Sequence, residues 1–168
     1  PSLIRTFQID PLGHAHARAR AEADVVRAPS GAAFARAPGV LTEILDELFQ
    51  RREAAKAAFD SVRSHAIKIL MNSVYGVLGT PACRFYSAEL ANAITSFGKE
   101  VLLWTKARFE QDGRRVLYGD TDSLFVELGP RDDDDGDLQP LAQALVRTVN
   151  QDLAAHLRAA YGVQSRLE

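Results

Sequence analysis

Cysteine is nearly absent. Cys83 is the only one, so the chain can close no disulfide with itself and build no cysteine-cluster zinc site. No apolar run is long enough to span a membrane, and the first residues lack a signal-peptide pattern. Neither sign of charge is in large excess: 20 Lys and Arg stand against 22 Asp and Glu, a net charge of −2. A free-standing nucleic-acid binder is usually basic overall, so composition argues against that role. No internal repeat is visible. The chain opens on Pro1 instead of Met, which reads as an excerpt of a longer protein.

What is present is ordinary globular material. The 168 residues are 46% hydrophobic and 25% charged, enough for one domain with a real core. Pro1–Phe7 reads as a short helix, with Pro1 in its first turn, ended by Asp10-Pro11-Leu12-Gly13. From His14 to Gly39 the chain is rich in Ala and Arg and broken by Pro29, Gly31 and Pro38. A loose insertion with one short helix near Ala17–Arg27 is the expectation. His14 and His16 lack the spacing of a metal site and are read as exposed.

Regular periodicity begins at Val40. Leu41, Ile44, Leu45, Leu48, Ala55 and Phe59 mark the inner face of one helix, with Thr42 as its cap. A second helix runs from about His65 to Leu78, with Ile67, Leu70, Met71 and Val74 inward and Gly76, Gly79 and Pro81 as its stop. The short connection implies an antiparallel pair. Cys83–Tyr86 reads as extended. A long helix then covers Ala88–Gln111, with Leu90, Ile94, Phe97, Val101 and Trp104 on one stripe, and Asp112-Gly113 stops it. After a hairpin, the acidic run Asp132–Asp135 reads as a solvated turn. An amphipathic helix from Leu138 to about Tyr161, with Leu141, Leu145, Val149 and Leu153 inward, closes the chain.

Two constellations carry chemistry. The first is Tyr118-Gly119-Asp120-Thr121-Asp122-Ser123, between the apolar runs Arg115–Tyr118 and Leu124–Val126. The flanks read as a β-hairpin. On extended backbone, side chains two apart share a side, which would aim Asp120 and Asp122 at one place. Two anions so placed need a counter-charge, and carboxylate oxygens suit Mg²⁺. The second lies on the second helix, where Lys68, Asn72, Tyr75 and Gly79 share a face. Arg52 and Lys56 lie one turn apart on the first helix. If the helices pair, three cations converge, and a triphosphate with its metal fits them.

These stretches resemble motifs of the family B DNA polymerases. Tyr118–Ser123 resembles motif C, and Lys68–Gly79 resembles motif B. Pro1-Ser2-Leu3-Ile4 resembles the end of motif A, and the order of elements is most similar to the bacterial polymerase II branch. The resemblance implies an α+β fold: part of a palm (a β-hairpin with packed helices) plus an antiparallel two-helix fingers hairpin. Residues 1–39 would be the end of the motif A element and a variable loop. Residues 40–80 would be the fingers, and 81–168 the palm with its C-terminal helix.

Template-directed DNA synthesis is the implied activity, with the primer 3′-hydroxyl attacking a dNTP. It would use two Mg²⁺ ions, or Mn²⁺ in their place, about 3.5–4 Å apart. The resemblance makes Asp122 the first metal ligand and Asp120 the second. Arg52, Lys56, Lys68, Asn72 and Tyr75 would bind the nucleotide, and Ser73, Gly76, Tyr118 and Thr121 the template and primer. The implied partners are a DNA primer-template and dNTP, with a sliding clamp engaged by other regions and no membrane, in the cytoplasm at a bacterial nucleoid. The excerpt alone would be inactive. Two alternatives are a polymerase-like module that binds nucleic acid without catalysis and an unrelated two-metal phosphohydrolase.

Overall fold

The computed structural model describes residues 1–17, 21–128 and 138–167. Among the described residues it is an α+β fold of helices with two separate two-stranded antiparallel sheets. The chain divides into two compact units, Pro1–Ser96 and Phe97–Glu168. The acidic run Asp132–Asp135 lies outside the described residues.

In the first unit, α1 (Ser2–Phe7) ends where Gln8 turns left-handed, at φ 54°. Its buried Ile4 and Phe7 join Ile9, Phe34, Leu45 and Leu90 as the unit's largest fully buried apolar side chains. Arg5 ties α1 to α3 (Val40–Ala57). Its Nε donates to Asp46 Oδ1 at 2.5 Å, and its guanidinium lies 3.8 Å from the centre of the Phe49 ring. Arg stacks well in this way because its planar cation is weakly hydrated.

Asp10 is a start signal, not the stop that Asp10–Gly13 suggested. Its carboxylate is 1% exposed. Oδ1 accepts from the Leu12 and Gly13 amides at 2.9 and 3.0 Å, capping α2 (Pro11–Ala17). Oδ2 accepts from the Leu41 amide at 2.8 Å, in the first turn of α3. One side chain therefore satisfies donors at two helix starts, where amides have no intrahelical partner. Asp10 packs so tightly against Gly39 that a Cβ there would overlap it. Gly39, not Thr42, is the N-cap of α3. Thr42 sits at the third helical position, where its Oγ1 accepts from the Gly39 amide at 2.9 Å.

Of the helix expected near Ala17–Arg27, the described residues 21–27 are not α-helical. After a 3₁₀ turn at Glu22–Asp24, β1 (Val25–Arg27) pairs with β2 (Ala33–Ala35), Val26 opposite Phe34. Val26 and Phe34 are buried, so packing overrides the helical leaning of an Ala-rich segment. His14 is docked, not free. Nδ1 lies 2.9 Å from the Ala33 carbonyl and Nε2 2.6 Å from Glu89 Oε2. His16 is exposed, as expected.

α3 and α4 (Ser61–Gly79) form a helical hairpin joined by Ala58–Asp60. Leu45, Ala55, Ile67, Met71 and Leu78 are its buried apolar positions among the described residues. Ile44, Phe59 and Leu70, expected inward, are exposed. Phe59 sits in the left-handed connection (φ 56°) and so lies off the helical stripe. Gly76 lies inside α4 and does not stop it. Cys83–Tyr86 forms turns, not an extended piece. Tyr86 N donates to the Cys83 carbonyl and Ser87 N reaches back to Leu78 O at 2.9 Å. α5 (Ala88–Gln111) has the predicted bounds and ends at Gly113, whose φ of 74° suits glycine.

In the second unit, α5 meets α6 (Gln139–Tyr161) through long side chains in antiparallel order. Phe97 stands edge-on to Tyr161, Trp104 stacks on His156 at 4.9 Å, and Arg108 Nε donates to Asp152 at 2.8 Å. The Tyr161 hydroxyl donates to Glu100, and burial with that bond holds the phenol well above its ordinary range. Val149, Leu153 and Leu157 are buried, but Leu141, expected inward, is exposed near the helix start.

Candidate active site

The α3–α4 hairpin gathers cations because both helices turn polar faces to one side near the connection. Arg52 and Lys56 on α3 and Lys68 on α4 line a single cavity of about 420 Å³. Ser61, Ser64 and His65 complete much of its wall, with Asp60 the one acid among the described residues that line it. Asp60 is partly committed, since its Oδ1 caps α4 by accepting from the Arg63 amide at 2.9 Å. Lys56 donates to Glu53 Oε1 at 2.6 Å, and that bond holds the Glu53 carboxyl below its ordinary range. The Arg52 Nε is buried and has no hydrogen-bond partner among the described residues. A buried donor left unpaired is costly. Lys68 has no ion-pair partner among the described residues. Such a cavity can hold a polyanion.

The remaining candidate residues of the Lys68–Gly79 stretch stand farther along α4. Asn72, Ser73, Tyr75 and Gly76 are exposed and lie outside the cavity. The Ser73 hydroxyl donates to the Leu70 carbonyl at 2.8 Å, while a Cβ at Gly76 would meet nothing within 4 Å. Sequence reasoning did not single out His65, Ser61 or Ser64. The signal was there, since one turn back from Lys68 on a helix reaches His65 on the same face.

The aspartates sit on β3 (Val116–Asp120) and β4 (Ser123–Val126). Asp120 ends β3 opposite Ser123, so Thr121 and Asp122 form a two-residue turn. Strand alternation therefore does not relate the two carboxylates, as the sequence suggested. Thr121 is left-handed (φ 44°), a conformation that β-branched residues rarely adopt. The turn is tightened by Asp122 N donating to the Asp120 carbonyl at 2.5 Å and by Thr121 Oγ1 donating to Asp120 Oδ1 at 2.9 Å. A bulge at Leu117 shifts the register between Val116 and Tyr118, and bulges recur beside active sites, where they re-aim side chains. Both aspartates, Tyr118 and Thr121 are exposed. Among the described residues no three metal-ligating side chains converge. Two exposed carboxylates on one tight turn are nonetheless a hard-oxygen donor pair that fits part of a Mg²⁺ site.

Over residues 5–159 the sequence matches DNA polymerase family B. The chain belongs to that family. It is 42% identical over 154 residues to DNA polymerase II of Escherichia coli K12, covering 89% of this chain and 19% of that protein. DNA polymerase 2 of Aeropyrum pernix is 32% identical over 151 residues, covering 82% of this chain and 18% of the relative. Among solved structures, the family B DNA polymerase of Pyrobaculum calidifontis matches with a TM-score of 0.55 and 26% identity. That match covers 86% of this chain and 18% of the other. The chain thus spans about a fifth of the length of these family B relatives. Family membership displaces the reading of an unrelated phosphohydrolase.

Proposed function

We propose that this chain is part of the catalytic core of a template-directed DNA polymerase. The α3–α4 hairpin is the fingers and the β3–β4 hairpin belongs to the palm. The observation that carries this reading is the cavity shared by Arg52, Lys56 and Lys68 in a chain of this family. These cations bind the triphosphate of the incoming dNTP, with Arg52 offering its planar fork to phosphate oxygens. Asn72 and Tyr75 border the nucleotide on the same helix face. Ser73, Gly76, Tyr118 and Thr121 meet template and primer. Asp122 and Asp120 hold divalent metal, Mg²⁺ or Mn²⁺. When bound, the metal stabilises charge on the attacking and leaving oxygens.

The partners that follow are primer-template DNA and dNTP, with a sliding clamp engaged by parts of the enzyme outside this chain. No helix among the described residues is long and apolar enough to cross a membrane, and a bacterial cytoplasm with its nucleoid is the setting this reading implies.

Asp122→Asn in the full-length enzyme tests the reading. Nucleotide addition with Mg²⁺ should fall by about a thousandfold or more, since metal stabilisation is worth several kcal/mol. Primer-template affinity should stay near that of the wild type. Near-normal extension by the variant removes Asp122 from the reaction. A wild-type protein that binds DNA but never extends a primer would be the non-catalytic module instead.

A further inference from the structure

We propose that His65 is a further phosphate contact whose charge sets nucleotide affinity, so that affinity falls as pH rises. The proposal rests on the reading of the α3–α4 cavity as the triphosphate site. His65 lines that cavity beside Arg52, Lys56 and Lys68. It lies one turn before Lys68 on the exposed face of α4, so the two side chains are neighbours. The groups facing it are Arg52 and Lys56 from α3, Asp60 from the connection, and Ser61, Ser64 and Lys68 from its own helix. None of them changes charge in the range where histidine does, between about pH 5 and 8.

An imidazolium adds a charge-assisted donor to a polyanion, while a neutral imidazole offers at best an uncharged one. A bound triphosphate, as a polyanion, favours the protonated ring over the neutral one. Nucleotide binding is then linked to proton uptake, and affinity is highest at low pH. Ser64, one residue earlier, supplies a hydroxyl at the same wall but cannot change charge.

The experiment is equilibrium dNTP binding to the full-length enzyme on a dideoxy-terminated primer-template with Mg²⁺, from pH 6 to 8.5. Wild type, His65→Gln and His65→Lys are compared. The nucleotide's own titration is common to all three, so differences between the curves isolate the side chain. Wild-type affinity should fall by about three- to tenfold more than that of His65→Gln, as expected for an exposed charge-assisted contact. His65→Lys should stay close to the low-pH wild-type curve throughout. A His65→Gln curve parallel to wild type at every pH, whether displaced or not, overturns the proposal. Lys68→Ala and Arg52→Ala separate this failure from failure of the underlying reading. If they also leave affinity unchanged, the cavity does not bind the triphosphate. If they weaken it while the His65 variants follow wild type, only the histidine is excluded.

Discussion

Lys68 and Phe59 illustrate opposite uses of an exposed side chain on the α3–α4 hairpin. Lys68 stands at the cavity with no ion-pair partner among the described residues, so its charge is available to a ligand. Lys68→Ala in the full-length enzyme should lower the ratio of maximal single-turnover rate to apparent nucleotide dissociation constant by about tenfold or more. Changes within about twofold in both parameters, well under 1 kcal/mol, would contradict the phosphate role. Phe59 is 95% exposed and left-handed at φ 56°, a conformation in which a Cβ is strained. Phe59→Gly should therefore stabilise the connection by about 1 kcal/mol. Amide exchange at Phe59–Arg63 in the full-length enzyme should slow by about fivefold. Faster exchange would show that the ring makes a contact worth more than the strain.

Among the elements, the start of α3 depends on a residue from another segment. Asp10→Ala removes the acceptor for the Leu12, Gly13 and Leu41 amides at a buried position. The cost should be about 3 kcal/mol. It would be read as faster exchange at those amides by a factor of about a hundred, with Asp10→Asn intermediate. Unchanged exchange at Leu41 would show that the tie to α3 is not stabilising. This tie was illegible in the sequence, because capping rules look a few residues ahead and Leu41 is 31 residues away. Thr42 was misread for a related reason. Its hydroxyl does serve the helix start, but from the third position, with Gly39 taking the cap because only a residue without Cβ fits against Asp10. β1 and β2 were missed because three-residue strands carry too little alternation to show a period. By contrast, α5 and α6 were legible to the residue or nearly so, since long stripes and a glycine just beyond each end are strong local signals.

For the whole molecule, the candidate site was legible where it depended on helix periodicity and not where it depended on backbone outliers. Arg52, Lys56 and Lys68 were brought together by pairing two well-patterned helices. The aspartates were placed on a hairpin correctly, but Thr121 at φ 44° breaks the alternation from which their common aim was argued. The same hairpin exposes Leu117, Tyr118 and Phe125, between 54% and 60%. Two strands with such a surface are marginal alone, and clustered apolar exposure promotes association. The 168-residue chain by itself should therefore associate at tens of micromolar, as read by light scattering. Leu117→Lys with Phe125→Lys should reduce that association by severalfold, and an equal tendency in the double variant would place the sticky surface elsewhere. The Asp10 carboxylate has one more consequence, for how the family can vary. The segment from Gly13 to Leu41 leaves from Oδ1 and returns to Oδ2 of one side chain. With both ends moored to the same point and Val26 and Phe34 held in the core, the exposed turn at residues 29–31 is the part that can change in length. Doubling it adds only about 0.6 kcal/mol of closure entropy and leaves the first turn of α3 where it was. A lineage can therefore lengthen, shorten or decorate this turn without retuning the cation-bearing hairpin that follows.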